Sequence, residues 1–263
     1  MPVNGARIAV VTGASSGFGA ETARGLAARG YRCVLLARRE DRLRQLAGEI
    51  DGEVEVCDVS DRSAVDAVAA RVLERHPAIH VLVNNAGVPA RAGFLDGDPQ
   101  AIEDVMRVNY LGAVWMLRAF LSGLEAAAPS DVVNVVSVAG EVAFPPSGPY
   151  SASKHAQLAF SRATAAQLRG RGIRVHTVKP GFAETEGFPQ AWLPKPVQRL
   201  VIGPEPVAAH ILSSLDHGRG ETTVPRYYGF VGPLQSLLPN VFARVLGRVS
   251  GSDRVPRLES SRD

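Results

Sequence analysis

The chain predicts an α/β fold built on a doubly wound, seven-stranded parallel sheet flanked by helices. Three observations carry this. Short β-branched runs alternate with longer stretches of helical period, the pattern of βαβ units. Strand candidates such as 132–136 are apolar almost throughout, as strands covered on both faces must be. A length of 263 residues, 46% hydrophobic and 21% charged, suits one domain with its own core and leaves disorder, collagen and a disulfide scaffold out. That domain is expected over 1–249, with a polar tail at 250–263.

Taken in order, the strand candidates are 7–12, 31–37, 53–57, 80–83, 131–137, 173–178 and 221–224, each bounded by glycine, polar or charged residues. Helical periodicity falls between them at 17–28, 41–47, 63–75, 100–124, 150–168 and 206–215, each stretch long enough to cross back over a sheet. Two segments break the rhythm. The first, within 181–203, is rich in proline and aromatics, and a long irregular loop in a compact domain is usually functional; its part at 186–203 is the expected substrate loop. The second follows Pro225, where Leu234, Leu237, Leu238, Val241, Phe242, Val245, Leu246 and Val249 make one apolar stripe with Gln235, Arg244 and Arg248 elsewhere. This predicts a helical extension over 226–249, kinked or divided at Pro239. Packing of the stripe on the domain or on a partner subunit is favoured over its lidding a pocket or touching a membrane surface.

Net charge is only +3, and the cations are spread along the whole chain, so nucleic-acid binding is not expected. No apolar run reaches a membrane span or the shape of a signal peptide, so the expected location is cytoplasmic. Cys33 and Cys57 read as buried free thiols. If the second and third strands pair in parallel, the two lie on the order of 13 Å apart, beyond the reach of a disulfide. No metal is expected. Of the 29 cationic residues only Lys154, Lys179 and Lys195 are lysine.

Thr12-Gly13-Ala14-Ser15-Ser16-Gly17-Phe18-Gly19 follows the first strand and opens the first helix. Glycines there permit a tight turn and let the backbone approach a pyrophosphate seated on the helix N-terminus. The next strand ends in Arg38-Arg39, with no acid where NAD-binding units hold a free ribose 2′-hydroxyl. Arginine suits a 2′-phosphate, so the reading is NADP(H), with Arg38 favoured by position over an ordinary solvated arginine.

Tyr150 and Lys154 share one face at the start of a helix, behind Pro149 at its first turn. An ammonium near a phenol lowers the phenol's pKa toward the range a general acid/base needs. Ser137 stands at the C-terminal end of a strand, the edge at which open α/β sheets bind ligands. With the glycine loop, Asp58-Val59, Asn84-Asn85-Ala86-Gly87, Asn109 and Pro180-Gly181…Thr185 in this order and spacing, the chain resembles the short-chain dehydrogenase/reductase family, whose fold is of Rossmann type, from Arg7 to about Val224.

The resemblance implies roles. Tyr150 would exchange a proton with the substrate oxygen, Ser137 would position that oxygen, and Lys154 would hold the nicotinamide ribose. Asn109 would hold a relay water. Gly13, Ser15, Ser16, Gly17, Phe18 and Gly19 would cradle the pyrophosphate. Asp58 and Val59 would meet the adenine, Asn85, Ala86 and Gly87 would line the cofactor, and Pro180, Gly181 and Thr185 would flank the carboxamide. NADP-preferring relatives often carry a cation where this chain has Ser16, so some NAD(H) use is compatible. The family's habit implies a homodimer or homotetramer.

Phe188, Trp192 and Leu193, with Tyr227, Tyr228 and Phe230 beyond, suggest a small hydrophobic substrate such as a steroid, retinoid, fatty acyl or aromatic carbonyl or secondary alcohol. Two rivals are weighed: a catalytically inactive NADP-binding sensor or scaffold, and an epimerase or dehydratase of nucleotide-sugars. Retention of Asn109, Ser137, Tyr150 and Lys154 together argues against the first, and the apolar loop against the second.

Overall fold

A computed structural model of the chain describes residues 5–90, 92–187 and 195–250. Its sheet holds seven parallel strands in the order β3-β2-β1-β4-β5-β6-β7. They are β1 (Arg7–Thr12), β2 (Tyr31–Ala37), β3 (Glu53–Val56), β4 (Val81–Asn84), β5 (Ser130–Val135), β6 (Ile173–Pro180) and β7 (Glu221–Val224). The order runs outward from β1 in both directions, so the crevice between β1 and β4 is the topological switch point at which such sheets bind ligands. Helices α1 (Gly17–Ala27), α2 (Glu40–Ile50), α3 (Arg62–Arg75), α4 (Pro99–Met106), α5 (Gly112–Ala126), α6 (Gly148–Leu168), α7 (Lys195–Gln198) and α8 (Pro204–His217) lie between the strands.

Two apolar clusters cover the two faces of the sheet. One gathers Val11, Leu26, Leu35, Val133 and Ile211; the other Val10, Leu36, Leu82, Phe120 and Val132. Alternate residues of one strand supply opposite clusters, which is why these strands read as unbroken apolar runs. Cys33 and Cys57 are buried free thiols, and burial pushes them up to about 12 and about 11. Ala37 pairs with Val56, so Cys33 lies four residues back along β2, as the parallel register requires.

The helix expected over 100–124 forms, running without interruption through α4, a π-helical turn at Arg107–Leu111, and α5. The π-turn goes with Asn109, whose buried amide bonds Val88. Gly112 then brings α5 so close to β3's outgoing loop that an added Cβ would stand 2.9 Å from a Val59 methyl. Single π-turns inside α-helices are frequent at functional sites.

After β7 the chain forms a 3₁₀ turn at Arg226–Phe230, then α9 (Val231–Leu237) and α10 (Pro239–Ser250). The extension therefore divides where Pro239 predicts. Among the described residues no helix is long and apolar enough to cross a membrane. Phe188, Trp192 and Leu193 lie outside the described residues, as does the expected tail beyond Ser250. The remainder of the loop after Gly181 is more ordered than expected, with a bridge between Ala183 and Ile202.

Candidate active site

The glycine loop is pinned by the ends of β1 and β4. The Thr12 hydroxyl donates to the Val83 carbonyl at 3.1 Å and accepts from the Asn85 and Ala86 N–H groups at 2.9 and 3.1 Å. The Asn85 amide donates to the Thr12 and Gly13 carbonyls. Gly13 and Gly17 hold φ of +64° and +55°, which side chains rarely adopt, and an added Cβ on Gly13 would meet Asn85 and Ala86 inside 3 Å. Gly19 is held against the Gly13 carbonyl. Phe18 keeps its place in the loop through its main chain, while its ring packs on the apolar core.

Beyond β2, Arg38 and Arg39 take different positions. Arg38 is exposed, with its guanidinium 3.8 Å from an Asp58 carboxylate oxygen. Arg39 folds back over the loop, donating to the Ser15 hydroxyl at 3.1 and 3.3 Å and to the Ser16 hydroxyl at 2.8 Å, and pairs with Glu186 at 2.6 Å. The positive charge absent from position 16 in the sequence is thus delivered to it from Arg39. The pair of arginines was the available signal, but nothing in linear spacing says which one turns toward the loop. Asp58 also accepts from the Ser60 N–H and hydroxyl. Thr185 lies across the loop, its methyl 3.2 Å from where a Cβ on Gly17 would stand.

The structure brings Ser137, Tyr150, Lys154 and Asn109 together at the C-terminal edge of β4 and β5. Ser137 stands just past β5, which ends at Val135, and caps a 3₁₀ turn; its hydroxyl accepts from the Ala139 N–H and donates toward the Pro180 carbonyl. Gly148 and Pro149 start α6 two residues before Tyr150. The Tyr150 phenol hydrogen-bonds Ser137, and the Lys154 ammonium lies 5.8 Å from the tyrosine ring centroid. Asn109 accepts from the Val88 N–H at 2.8 Å and donates to the Val88 carbonyl and the Ser153 hydroxyl, each at 3.0 Å. Gly87 sits between Asn109 and Lys154: a Cβ there would stand 3.3 Å from Asn109 Oδ1 and 3.7 Å from Lys154 Nζ.

The electrostatics correct one expectation. Burial pushes Tyr150 up to about 12, against the lowering by its bond with Ser137, and burial pushes Lys154 down to about 7. Burial outweighs the lowering of the phenol, and the Lys154 ammonium is held by the Val135 carbonyl at 3.0 Å and by Gln157 at 2.7 Å. Gln157, one turn along α6, was not singled out in the sequence; its (i, i+3) spacing from Lys154 was the only clue.

Aromatic side chains crowd one flank. Phe182 packs against Phe144 and Tyr228 with ring centroids 6.2 and 6.0 Å apart, Tyr227 and Tyr228 lie 4.7 Å apart, and the Tyr228 ring seats on Gly181. Phe230 is not part of this wall, being 79% exposed. Lys179, unexplained by the sequence, is buried at the end of β6 and bonded at 2.7 Å to both Glu141 and Glu221; Arg162 completes the network.

Residues 7–193 match the family model for short chain dehydrogenase. The chain is 33% identical over 190 residues to dehydrogenase/reductase SDR family member 7B of Danio rerio, an alignment that covers 68% of this chain and 62% of that one. It is 36% identical to the granaticin polyketide synthase putative ketoacyl reductase 1 of Streptomyces violaceoruber, covering 68% of each. A galactitol 2-dehydrogenase (L-tagatose-forming) of Cereibacter sphaeroides is 38% identical, with 68% of this chain and 72% of that one aligned. The crystal structure of a short-chain dehydrogenase from Burkholderia cenocepacia J2315 in complex with NADP superposes with a TM-score of 0.79 at 27% identity, covering 92% of this chain and 97% of that one. The glycine loop, the switch-point crevice and the match over most of the chain lead to one conclusion: the protein belongs to the short-chain dehydrogenase/reductase family.

Proposed function

We propose that the protein is an NADP(H)-dependent oxidoreductase that interconverts a small hydrophobic ketone or aldehyde and the corresponding alcohol, with Tyr150 as general acid/base. The observation that carries this is the convergence of Ser137, Tyr150, Lys154 and Asn109 beside the glycine loop. The residues present fit a dinucleotide: Gly13 and Gly17 hold left-handed turns at the helix N-terminus, and the missing Cβ of Gly87 keeps space clear between Asn109 and Lys154. When bound, the nicotinamide supplies or accepts the hydride at the carbonyl carbon.

The chain's own residues handle position and proton. Ser137 and Tyr150, already hydrogen-bonded, present two hydroxyls to one carbonyl oxygen. The burial that holds Tyr150 near 12 keeps the phenol protonated at neutral pH, so it is loaded as an acid for reduction, and it remains a stronger acid than the alcohol it forms. Lys154, held near 7, changes charge close to working pH and is placed to hold ribose hydroxyls. Asn109 anchors the Val88 segment and Ser153, on the side from which the phenol's proton would be replaced. Gly13, Ser15, Ser16, Gly17, Gly19 and the Phe18 main chain would line the pyrophosphate. Asp58 and Val59 would flank the adenine, Asn85, Ala86 and Gly87 the ribose side, and Pro180, Gly181 and Thr185 the nicotinamide.

The 2′-phosphate would meet Arg38 and Arg39, with Arg39 shared between the phosphate and Glu186. Charge-assisted hydrogen bonds of roughly 1.5–3 kcal/mol each correspond to about tenfold to a hundredfold in preference. Arg39→Ala should therefore lower the NADP/NAD ratio of kcat/KM by about tenfold, and Arg38→Asp should reverse it; an unchanged ratio in both removes the assignment.

The aromatic wall of Phe144, Phe182, Tyr227 and Tyr228 supports a hydrophobic substrate. A second reading, a sugar alcohol, is favoured by the galactitol dehydrogenase relative. NADPH oxidation monitored against a panel of hydrophobic ketones and aldehydes, and NADP⁺ or NAD⁺ reduction against sugar alcohols, separates the two. Tyr150→Phe should lower turnover by about 10²- to 10⁴-fold while NADPH binding, read by fluorescence, is kept. Binding of NADPH with no turnover of either panel by the wild type would favour a sensor or scaffold.

A further inference from the structure

The extension after β7 presents an apolar face with no cover among the described residues. Phe230 and Leu237 are 79% and 77% exposed, and Leu234, Leu238, Val241 and Val245 are each about half exposed. The other side of the same segment is seated. Gln235 accepts a hydrogen bond from the Ala143 N–H, Gly232 lies against Glu141, Phe242 and Leu246 are half-buried, and α10 rests on the Pro145–Ser147 turn. The exposed residues are thus the outward half of a helical pair that is already docked, not a displaced core.

Charge distinguishes the occupants. Between Glu221 and Asp253 the chain carries Arg226, Arg244 and Arg248 and no acid. On α10, Arg244 lies one turn from Val241, at the border of the exposed apolar arc. A second copy brought in by a twofold axis would bring no carboxylate of its own segment to answer Arg244. An anionic lipid surface answers both features at once: the apolar arc enters the interface while the long cationic side chain of Arg244 at its border reaches the headgroups.

We propose that this face docks the protein on anionic lipid bilayers. The docked segment adjoins the candidate site, since α9 lies on Glu141, four residues after Ser137, and α10 lies on the turn that precedes Tyr150. The mouth of the cleft is then held at the lipid surface, where lipophilic carbonyl compounds concentrate. The docking is independent of the proposed reaction, and its test reads binding rather than turnover.

The full chain is floated with vesicles of phosphatidylcholine containing phosphatidylglycerol, and with vesicles of phosphatidylcholine alone. The expected result is flotation with the anionic vesicles, loss in high salt, and little with the neutral ones. Leu237→Ser/Val241→Ser/Val245→Ser, at positions already open to solvent, should abolish flotation with unchanged thermal stability. Arg226→Glu/Arg244→Glu, which leaves the apolar residues in place, should weaken it by about tenfold or more, since each cation near such a surface contributes about fivefold. No flotation of the wild type, flotation equal on neutral vesicles, or flotation indifferent to both variants would overturn the proposal. So would a serine variant that turns a dimer into a monomer in sedimentation without changing vesicle binding, which would make the face a self-interface.

Discussion

Lys154 and Lys179 are buried to a similar degree, 3% and 6% exposed, at the same edge of the sheet, yet they are held by different chemistry. Lys154 is met by the Val135 carbonyl and the Gln157 amide oxygen, both neutral, and burial pushes it down to about 7. Lys179 is met by the carboxylates of Glu141 and Glu221, with Arg162 bonded to the same pair, and Glu221 is held down at about 2 with Arg162 as the first cause. Opposite charge compensates desolvation; neutral acceptors do so only in part. One lysine is therefore part of a scaffold that ties β6, β7 and the loop after Ser137 together. The other is kept ready to change charge at the place where the proposed chemistry occurs, as functional sites often arrange.

Replacing each lysine by methionine tests this contrast. Lys179→Met leaves the partly buried carboxylates of Glu141 and Glu221 with only Arg162, and should cost about 1–3 kcal/mol of unfolding free energy at pH 7. Urea titration measures it, and the cost should shrink as pH falls toward 2, where Glu221 takes up its proton. A loss of less than a few tenths would remove Lys179 from the scaffold.

Lys154→Met should have the opposite sign. The folded pKa lies below the ordinary 10.5, so between about 7 and 10.5 the unfolded chain binds more protons, and stability rises with pH across that window. The penalty is complete below 7. Removing the amine should then stabilise the protein by about 1–3 kcal/mol at pH 7, and the advantage should fade as pH approaches 10.5. A variant less stable than wild type at pH 7 would mean that Val135 and Gln157 compensate the charge fully.

The smallest effect belongs to Glu221. Its contribution is present above its ordinary value of 4.5 and is lost as pH falls toward 2. Because the side chain is about a third exposed, solvent screening reduces this to roughly 1 kcal/mol. Glu221→Gln should flatten the acid limb of the stability profile in thermal melts between those pH values, and an identical limb would place the acid sensitivity elsewhere.

Legibility followed the range of the interactions. The central strands were readable because a parallel strand buried on both faces leaves a continuous apolar run, and the edges of β1 and β2 fall where that run meets polar residues. The π-turn before Gly112 was not readable, because it goes with an Asn109 side chain bonded to Val88, 21 residues away. Likewise the spacing of Tyr150 and Lys154 announced a phenol and an amine on one face. It carried no information on the depth of burial that raises one and lowers the other, nor on the carbonyl and amide that hold the amine.

By itself the sequence determined the sheet, its parallel sense, the glycine loop and the identity of the four residues that converge. The first three follow from local composition and period; the four residues follow from the family resemblance that their motifs carry. Only the tertiary structure decided that Arg39, rather than Arg38, turns onto Ser15 and Ser16, that Lys179 is answered by Glu141 and Glu221, and that no described residue covers the outer face of α9 and α10. Those outcomes depend on which groups from distant parts of the chain arrive at the same place, and direction and burial in space are not functions of linear spacing.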